Sequence, residues 1–243
     1  MKDRFEINYL TMIPSKNYLQ KLNANQILDL SKFVVSENFK HHTGNFSSQE
    51  YEDDVHSIYN EESSFYKNSQ IFVAKDPLGF IKGSIRVLHW NYIDTLPIEK
   101  IFGINPSLVS STTKANNIYH IGRFAIKKDV RDINLFKKLM VCAITPICND
   151  ESNVAFAECD SKLLRILSLL GIKTKVIGKS IDYLGSETIP VSMDYEGLIN
   201  FYNTNKYLVT DDVNTNTLDN KISFSIPGNL EFKVEKQKAS ISM

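Results

Sequence analysis

The sequence predicts an α/β protein built on a mixed sheet, and three observations carry that reading. Residues 118–126 are apolar on both parities, as in a strand covered on both faces, yet Arg123 sits in the middle. A buried cation without a partner costs roughly several kcal/mol, so a partner is expected there. This stretch runs into the basic turn Lys127-Lys128-Asp129-Val130-Arg131-Asp132, an apolar helical pattern over 133–147, a short strand over 154–159 and a helix over 161–170 stopped by Gly171. A strand–helix–strand–helix order of this kind demands a parallel strand pair. Upstream, 71–75 and 80–88 flank Asp76-Pro77-Leu78-Gly79, a Pro/Gly turn between two strands, which makes an antiparallel hairpin.

The remaining elements follow in chain order. Residues 4–13 alternate polar and apolar and read as a first strand. Asn23 caps a helix over 24–39, with Ile27, Leu28, Leu30, Phe33, Val34 and Phe39 near helical spacing. Over 40–70 the periodicity dissolves into His41, His42, Gly44, Asp53, Asp54 and His56, a long polar stretch of the functional or mobile kind with room for at most a short helix. Gly83 inside the second hairpin strand marks a bulge or a close approach. A short helix is expected over 95–102 and a polar loop over 106–117. Beyond the helix at 161–170, two strands over 173–179 and 187–194 flank a partly extended 180–185, and 195–203 reads as a helix. From residue 204 the composition shifts to Asp, Asn and Thr with one strand-like piece over 221–226. The chain therefore divides into a domain over 1–203 and a C-terminal extension over 204–243.

Lysine plus arginine equals aspartate plus glutamate, 28 of each, so global electrostatic steering to nucleic acid or membrane has no support. Cys142, Cys148 and Cys159 are odd in number and lie in apolar contexts without metal-ligand spacing, as reduced core residues do. His41, His42 and His56 likewise lack the spacing of a metal set, and no metal is expected. No apolar run reaches the length of a membrane span, and Met1-Lys2-Asp3-Arg4-Phe5-Glu6 is not a signal peptide, so a cytoplasmic protein is expected.

Four groups of residues carry a family resemblance over residues 70–202. They are Gly122-Arg123-Phe124-Ala125-Ile126; Leu163-Leu164-Arg165-Ile166-Leu167 running into Gly171-Ile172; Val176-Ile177-Gly178 with Tyr183-Leu184-Gly185 and Val191-Ser192-Met193; and Arg86 on the strand after the hairpin turn. In these the chain resembles the acyl-homoserine-lactone (autoinducer) synthases and the N-acyl amino acid synthases, within the acetyltransferase-like (GNAT) fold. It departs from them at His120, where that family carries a glutamate three residues before its arginine. Its N-terminal arginine–phenylalanine–tryptophan pattern is matched at best by Lys32, Phe33 and Phe39, and its paired acidic positions by Asp53 and Asp54.

The resemblance implies a three-layer α/β/α sandwich whose central strand splays from its parallel neighbour, so that freed backbone groups bind a pantetheine arm. It implies an N-acyltransferase that moves a fatty acyl group from an acyl-carrier-protein or coenzyme A thioester to the amine of a small amino acid-like acceptor, with no permanently bound cofactor. Coenzyme A users of the fold carry a glycine-rich turn after the central strand, where amides cradle pyrophosphate. Here residues 128–133 hold no glycine, which favours an acyl carrier protein, itself acidic. Lys127, Lys128, Arg131, Lys137 and Lys138, joined by Lys162 and Arg165, then form either its docking patch or an ordinary solvated helix start.

His120 is the candidate base for the acceptor ammonium, against the alternative of a satisfied core histidine. With Arg123 it forms the catalytic pair of this reading. Arg86, Gly122, Phe124, Asp53 and Asp54 are the substrate-binding candidates. The two arginines hold an acceptor carboxylate or order acidic residues of the N-terminal lobe; for Arg123 the structural, orienting role is favoured. Phe72, Phe80, Phe102, Phe124, Met140, Phe156 and Leu164 are available to line an acyl tunnel or are simply core. The rival functions are an autoinducer synthase using S-adenosylmethionine, a non-catalytic acyl- or carrier-binding module, and acetyl transfer to an amine or a protein.

Overall fold

A computed structural model describes residues 18–41, 47–111, 115–183 and 186–209. The strand expected over 4–13, His42, Gly44, Leu184, Gly185 and everything from residue 210 onward lie outside these. The expected boundary at residue 203 falls inside a helix, α7 (Tyr195–Asn205).

Among the described residues, eight strands form one sheet. In chain order they are β1 (Tyr18–Lys21), β2 (Ser69–Lys75), β3 (Ile81–His89), β4 (Ile118–Ile126), β5 (Val154–Asp160), β6 (Lys175–Val176), β7 (Ile181–Tyr183) and β8 (Ser186–Asp194). Their spatial order is β1-β2-β3-β4-β5-β8-β6, with β7 also paired to β8. Every pairing is antiparallel except β4 with β5. The fold is the mixed α/β sandwich that the strand–helix–strand pattern requires.

The two faces are covered by different helices. On one face, α5 (Ile133–Ile144) and α7 pack with Phe72, Ile85, Ile121, Ala155 and Val191. Helix α6 (Ser161–Leu169) joins them through Leu167 and ends at Gly171, whose φ of +79° is the left-handed stop a glycine supplies freely. Gly83 is a close approach, as the sequence allowed: a β-carbon there would lie 2.9 Å from Leu139 of α5. On the other face, α1 (Ile27–His41) and α2 (Ser48–Phe65) cover Ile71 and Val73, while α3 (Pro97–Phe102) covers Ile118, Val154 and Phe156.

Three segments depart from expectation. The polar stretch over 40–70 contains α2, opened by a capping box in which Ser47 and Glu50 exchange hydrogen bonds. Its buried positions, Val55, Ile58, Glu62 and Phe65, keep helical spacing, but one of the four is a glutamate, so the apolar stripe is too thin to read by periodicity. The loop expected over 106–117 contains a short helix α4 (Pro106–Ser111). Helix α5 also ends before the expected 147, at Ile144, with Thr145 as its cap and Pro146 next. Among the described residues no helix is long and apolar enough to cross a membrane.

Candidate active site

The parallel pair opens halfway along. Ladder partners run from Ile118–Val154 to Ile121–Ala157 and then stop, although β4 continues to Ile126 and β5 to Asp160. Past that point β4 follows β3, through Gly83–Ile126, and β5 follows β8, through Asp160–Thr188. A cavity of about 920 Å³ occupies the gap. One end is apolar, between Phe124 of β4, Phe136 and Met140 of α5 and Leu167 of α6; the other reaches Glu61, Arg123, Glu158 and Tyr183.

A bulge in β4 sets which side chains face that second end. Ser84 opposes Ala125 and Arg86 opposes Gly122, so Ile85 faces both Arg123 and Phe124. Arg123 takes up the extra residue with φ +53°, a left-handed conformation uncommon for a side chain of this size. Its carbonyl accepts the Ser84 hydroxyl at 2.8 Å, which holds the bulge. Strict alternation would place Arg123 opposite His120 and Phe124 beside it. The bulge inverts both: Phe124 packs edge-on to Phe136 at 5.0 Å, while Arg123 joins the network that contains Arg86 and His120.

That network is a continuous chain of charges. Arg123 donates from Nε to Glu62 Oε1 at 2.7 Å and from Nη2 to Glu61 Oε1 at 2.6 Å. Arg86, fully buried, donates from Nη1 to the same Glu62 oxygen at 2.7 Å and stacks over Phe65 at 5.4 Å. Arg86 Nη2 lies 2.8 Å from His120 Nδ1, and His120 Nε2 lies 3.0 Å from both oxygens of Glu158. A guanidinium only donates, so Nδ1 is the acceptor and the ring proton sits on Nε2, directed at Glu158. His120 therefore has no free lone pair. The expectation that it is the base meets a physical obstacle, since both ring nitrogens are engaged by Arg86 and Glu158.

Opposing effects set the charge of both inner carboxyls. Burial pushes Glu62 upward, but Arg86 and Arg123 outweigh it and hold the group below the usual carboxylate range. Burial likewise raises Glu158, and the adjoining His120 first, then the Arg86 and Arg123 guanidiniums, bring it below that range. Both are carboxylates near neutral pH. The Tyr183 hydroxyl is pushed up by burial and by Glu61. Gly122 lies against the network: a β-carbon there would sit 3.0 Å from Arg86 Nη2 and 3.2 Å from His120 Cε1.

The other expected residues fall in several places. Asp53 and Asp54 lie on α2 but are not the partners of the arginines: Asp53 is exposed and bonded to Gln49, and Asp54 is half-buried two turns from Glu61. Glu61, Glu62 and Glu158 were missed. The buried arginines demanded such partners, and Glu62 sits at i+7 from Val55 on the buried stripe of α2. Of the proposed tunnel residues only Phe124 and Met140 line the cavity; Phe156 and Phe72 are core, and Phe80 is exposed. Lys127, Lys128, Arg131 and Lys162 line the cavity, whereas Lys137 and Lys138 stand half-buried on α5 outside its lining. The three cysteines are free and buried, and burial pushes each thiol up to about 12. Among the described residues no group of histidine, cysteine, aspartate and glutamate is placed to hold a metal ion.

No family model and no curated protein matches the chain. Solved structures do. FeeM, an N-acyl amino acid synthase from uncultured soil microbes, superposes with a TM-score of 0.55 at 13% identity, covering 79% of this chain and 98% of its own. An acetyltransferase of the GNAT family from Staphylococcus aureus Mu50 superposes with a TM-score of 0.50 at 14% identity, covering 74% of this chain and 99% of its own. At these identities the likeness is one of fold, and the fold is GNAT-like.

Proposed function

We propose that this chain is an N-acyltransferase that moves an acyl group from a pantetheine thioester to the amine of a small amino acid-like acceptor. The observation that carries the reading is the parting of β4 from β5 after Ile121–Ala157, with an apolar end on one side of the gap and Glu158 on the other. Backbone groups that β4 turns toward β5 beyond Ile121 are the natural partners of the pantetheine amides and of the thioester oxygen as it gains charge. The acyl chain lies toward Phe136, Met140 and Leu167.

In the reaction the acceptor, bound as its free amine, bonds through nitrogen to the thioester carbon, the carbonyl electron pair moves to oxygen, and the ammonium nitrogen of the tetrahedral adduct becomes more acidic than the free ammonium. Glu158 takes its proton. The carbon–sulfur bond then breaks, the electron pair leaves on sulfur, and the thiolate acquires a proton from solvent. His120 holds the base in place through its Nε2–H, Arg86 fixes the ring from behind, and Arg123 ties β4 to α2 through Glu61 and Glu62. His120 and Arg123 are thus positioning residues. An acidic carrier protein is the favoured donor, met by Lys127, Lys128 and Arg131 of the cavity lining. FeeM, named for N-acyl amino acid synthesis, supports the choice of acceptor class by its likeness in fold.

The test is turnover with purified protein, an acyl-carrier thioester or acyl-coenzyme A, and a panel of amino acids. Thiol release with an N-acyl amino acid in the mass spectrum is expected. Thioester binding without thiol release for any amine would make the chain a binding module instead. A product formed only with S-adenosylmethionine would make it an autoinducer synthase.

A further inference from the structure

The turn between β4 and α5 carries its own anions. Glu37 of α1, buried to 2% exposure, reaches across and accepts the backbone N–H of Lys128 at 2.8 Å. Its other oxygen takes Lys40 Nζ at 2.7 Å, and Lys128 Nζ returns to the Lys40 carbonyl at 3.1 Å, so the contact is fastened from both sides. Asp132, the N-cap of α5, accepts the Asn134 N–H at 2.9 Å. Two further turn amides are spent inside the protein, Lys127 on the Lys82 carbonyl and Val130 on the Lys127 carbonyl. Both residues, Glu37 and Asp132, line the cavity.

From this arrangement we infer that Glu37 and Asp132 are donor-specificity residues, which reject the diphosphate and ribose phosphate of coenzyme A and admit a donor with a single phosphodiester. The inference rests on the acyl-transfer reading above and deepens it. A helix start with free amides favours an anion. Here one such amide is capped by a fixed carboxylate, and a second carboxylate holds the turn below it. A diphosphate would have to displace them or lie beside them, at a Coulomb cost that grows as water is excluded. A carrier-bound phosphopantetheine brings one phosphate to the same turn, and Arg131 and Lys162 of the cavity lining remain to meet it. The pantetheine arm beyond is common to both donors, so the discrimination sits at the turn and leaves the channel unchanged.

The experiment compares binding of coenzyme A and of 4′-phosphopantetheine to the full chain, by calorimetry, for wild type, Asp132→Asn, Glu37→Gln and the double variant. Asparagine caps a helix as well as aspartate does, so Asp132→Asn removes charge and keeps the turn. The expected result is a gain of about tenfold in coenzyme A affinity in the double variant, with a smaller gain in Asp132→Asn alone, while phosphopantetheine affinity moves by less than about twofold. Should Glu37→Gln loosen the fold, as a thermal melt will report, Asp132→Asn alone decides. Phosphopantetheine binding with an unmoved coenzyme A affinity overturns this inference and leaves the acyl-transfer reading standing. An equal gain for both ligands also overturns it, since the effect would then be general electrostatics. Failure of both ligands to bind any form overturns the donor channel itself, and this inference with it.

Discussion

Arg86 Nη2 meets His120 Nδ1 at 2.8 Å, and that single hydrogen bond decides what the histidine can do. Because arginine offers no acceptor, the imidazole must give up its lone pair to it and turn its proton to Glu158. Replacing Glu158 with glutamine is expected to lower kcat by about 10²–10⁴-fold with the fold intact, the range for losing a positioned base. His120→Ala is expected to lower it too, but by a different route. Glu158, held below its ordinary value of 4.5, is charged throughout the neutral range in the wild type and gives no acid limb there. Without the ring its carboxyl rises, so an acid limb should climb toward neutrality in His120→Ala and be missing in Glu158→Gln. Equal pH profiles in the wild type and His120→Ala would remove His120 from the mechanism.

Gly122 sits where any side chain would press on that bond. A methyl group at this position falls 3.0 Å from Arg86 Nη2 and 3.2 Å from His120 Cε1. Gly122→Ala should therefore lower kcat through the displaced ring while KM for the thioester, set by the channel, stays close to wild type. A rise in KM with unchanged kcat would show that Gly122 serves the donor arm instead.

Much of this architecture is legible in the sequence because its signals are local. The turn at Asp76-Pro77-Leu78-Gly79, the two-sided apolar strand around Arg123 and the Gly171 stop each declare their element within a few residues. The ion network is a different matter. Its members lie on α2, β3, β4 and β5, and the sequence announces only the need for a counter-charge. Asp53 and Asp54 look like the stronger pair by being adjacent, but so are Glu61 and Glu62, and only the helical phase of α2, blurred by its own buried glutamate, tells them apart. The reversal of Arg123 and Phe124 was out of reach for another reason: a bulge at an arginine breaks the period of two on which strand reading depends, and no glycine at that position marks it.

The left-handed backbone at Arg123 separates its two costs. Arg123→Ala and Arg123→Gly both lose the bonds to Glu61 and Glu62, but only alanine keeps the penalty of φ +53°. The glycine variant should be the more stable by about 1 kcal/mol in urea unfolding. Two variants of equal stability would mean that β4 relaxes to a regular strand once the side chain is gone, and the bulge would then owe its existence to the ion pairs.

Arg86 and Glu62 pose a question of burial. Both side chains are almost fully enclosed, and Glu62 Oε2 and Arg86 Nε have no hydrogen-bond partner among the described residues. Arg86→Met should cost about 3 kcal/mol, because it takes one of two guanidiniums from the buried Glu62 carboxylate, leaving Arg123, and removes the donor to His120 Nδ1. Adding Glu62→Gln to it should recover part of that loss, since Arg123 keeps Glu61. A double variant as unstable as the sum of the two singles would show that the pair is not coupled.

Acid should loosen the same contact. Glu62 has an ordinary value of 4.5 and a lower one in the folded protein, where burial raises it and Arg86 and Arg123 more than reverse that. The unfolded chain therefore takes up the proton first as pH falls. The stabilisation is complete above about 4.5 and is lost as pH drops through the depressed folded value. Urea-unfolding free energies at pH 7 and pH 4 should differ in the wild type and differ less in Glu62→Gln, which has no proton to bind. Glu158 obeys the same sign, so Glu62→Gln should narrow the gap and Glu158→Gln should narrow it further, the remainder belonging to other lowered carboxyls such as Asp76 and Asp194. An undiminished gap in the double variant would place the acid sensitivity outside this network.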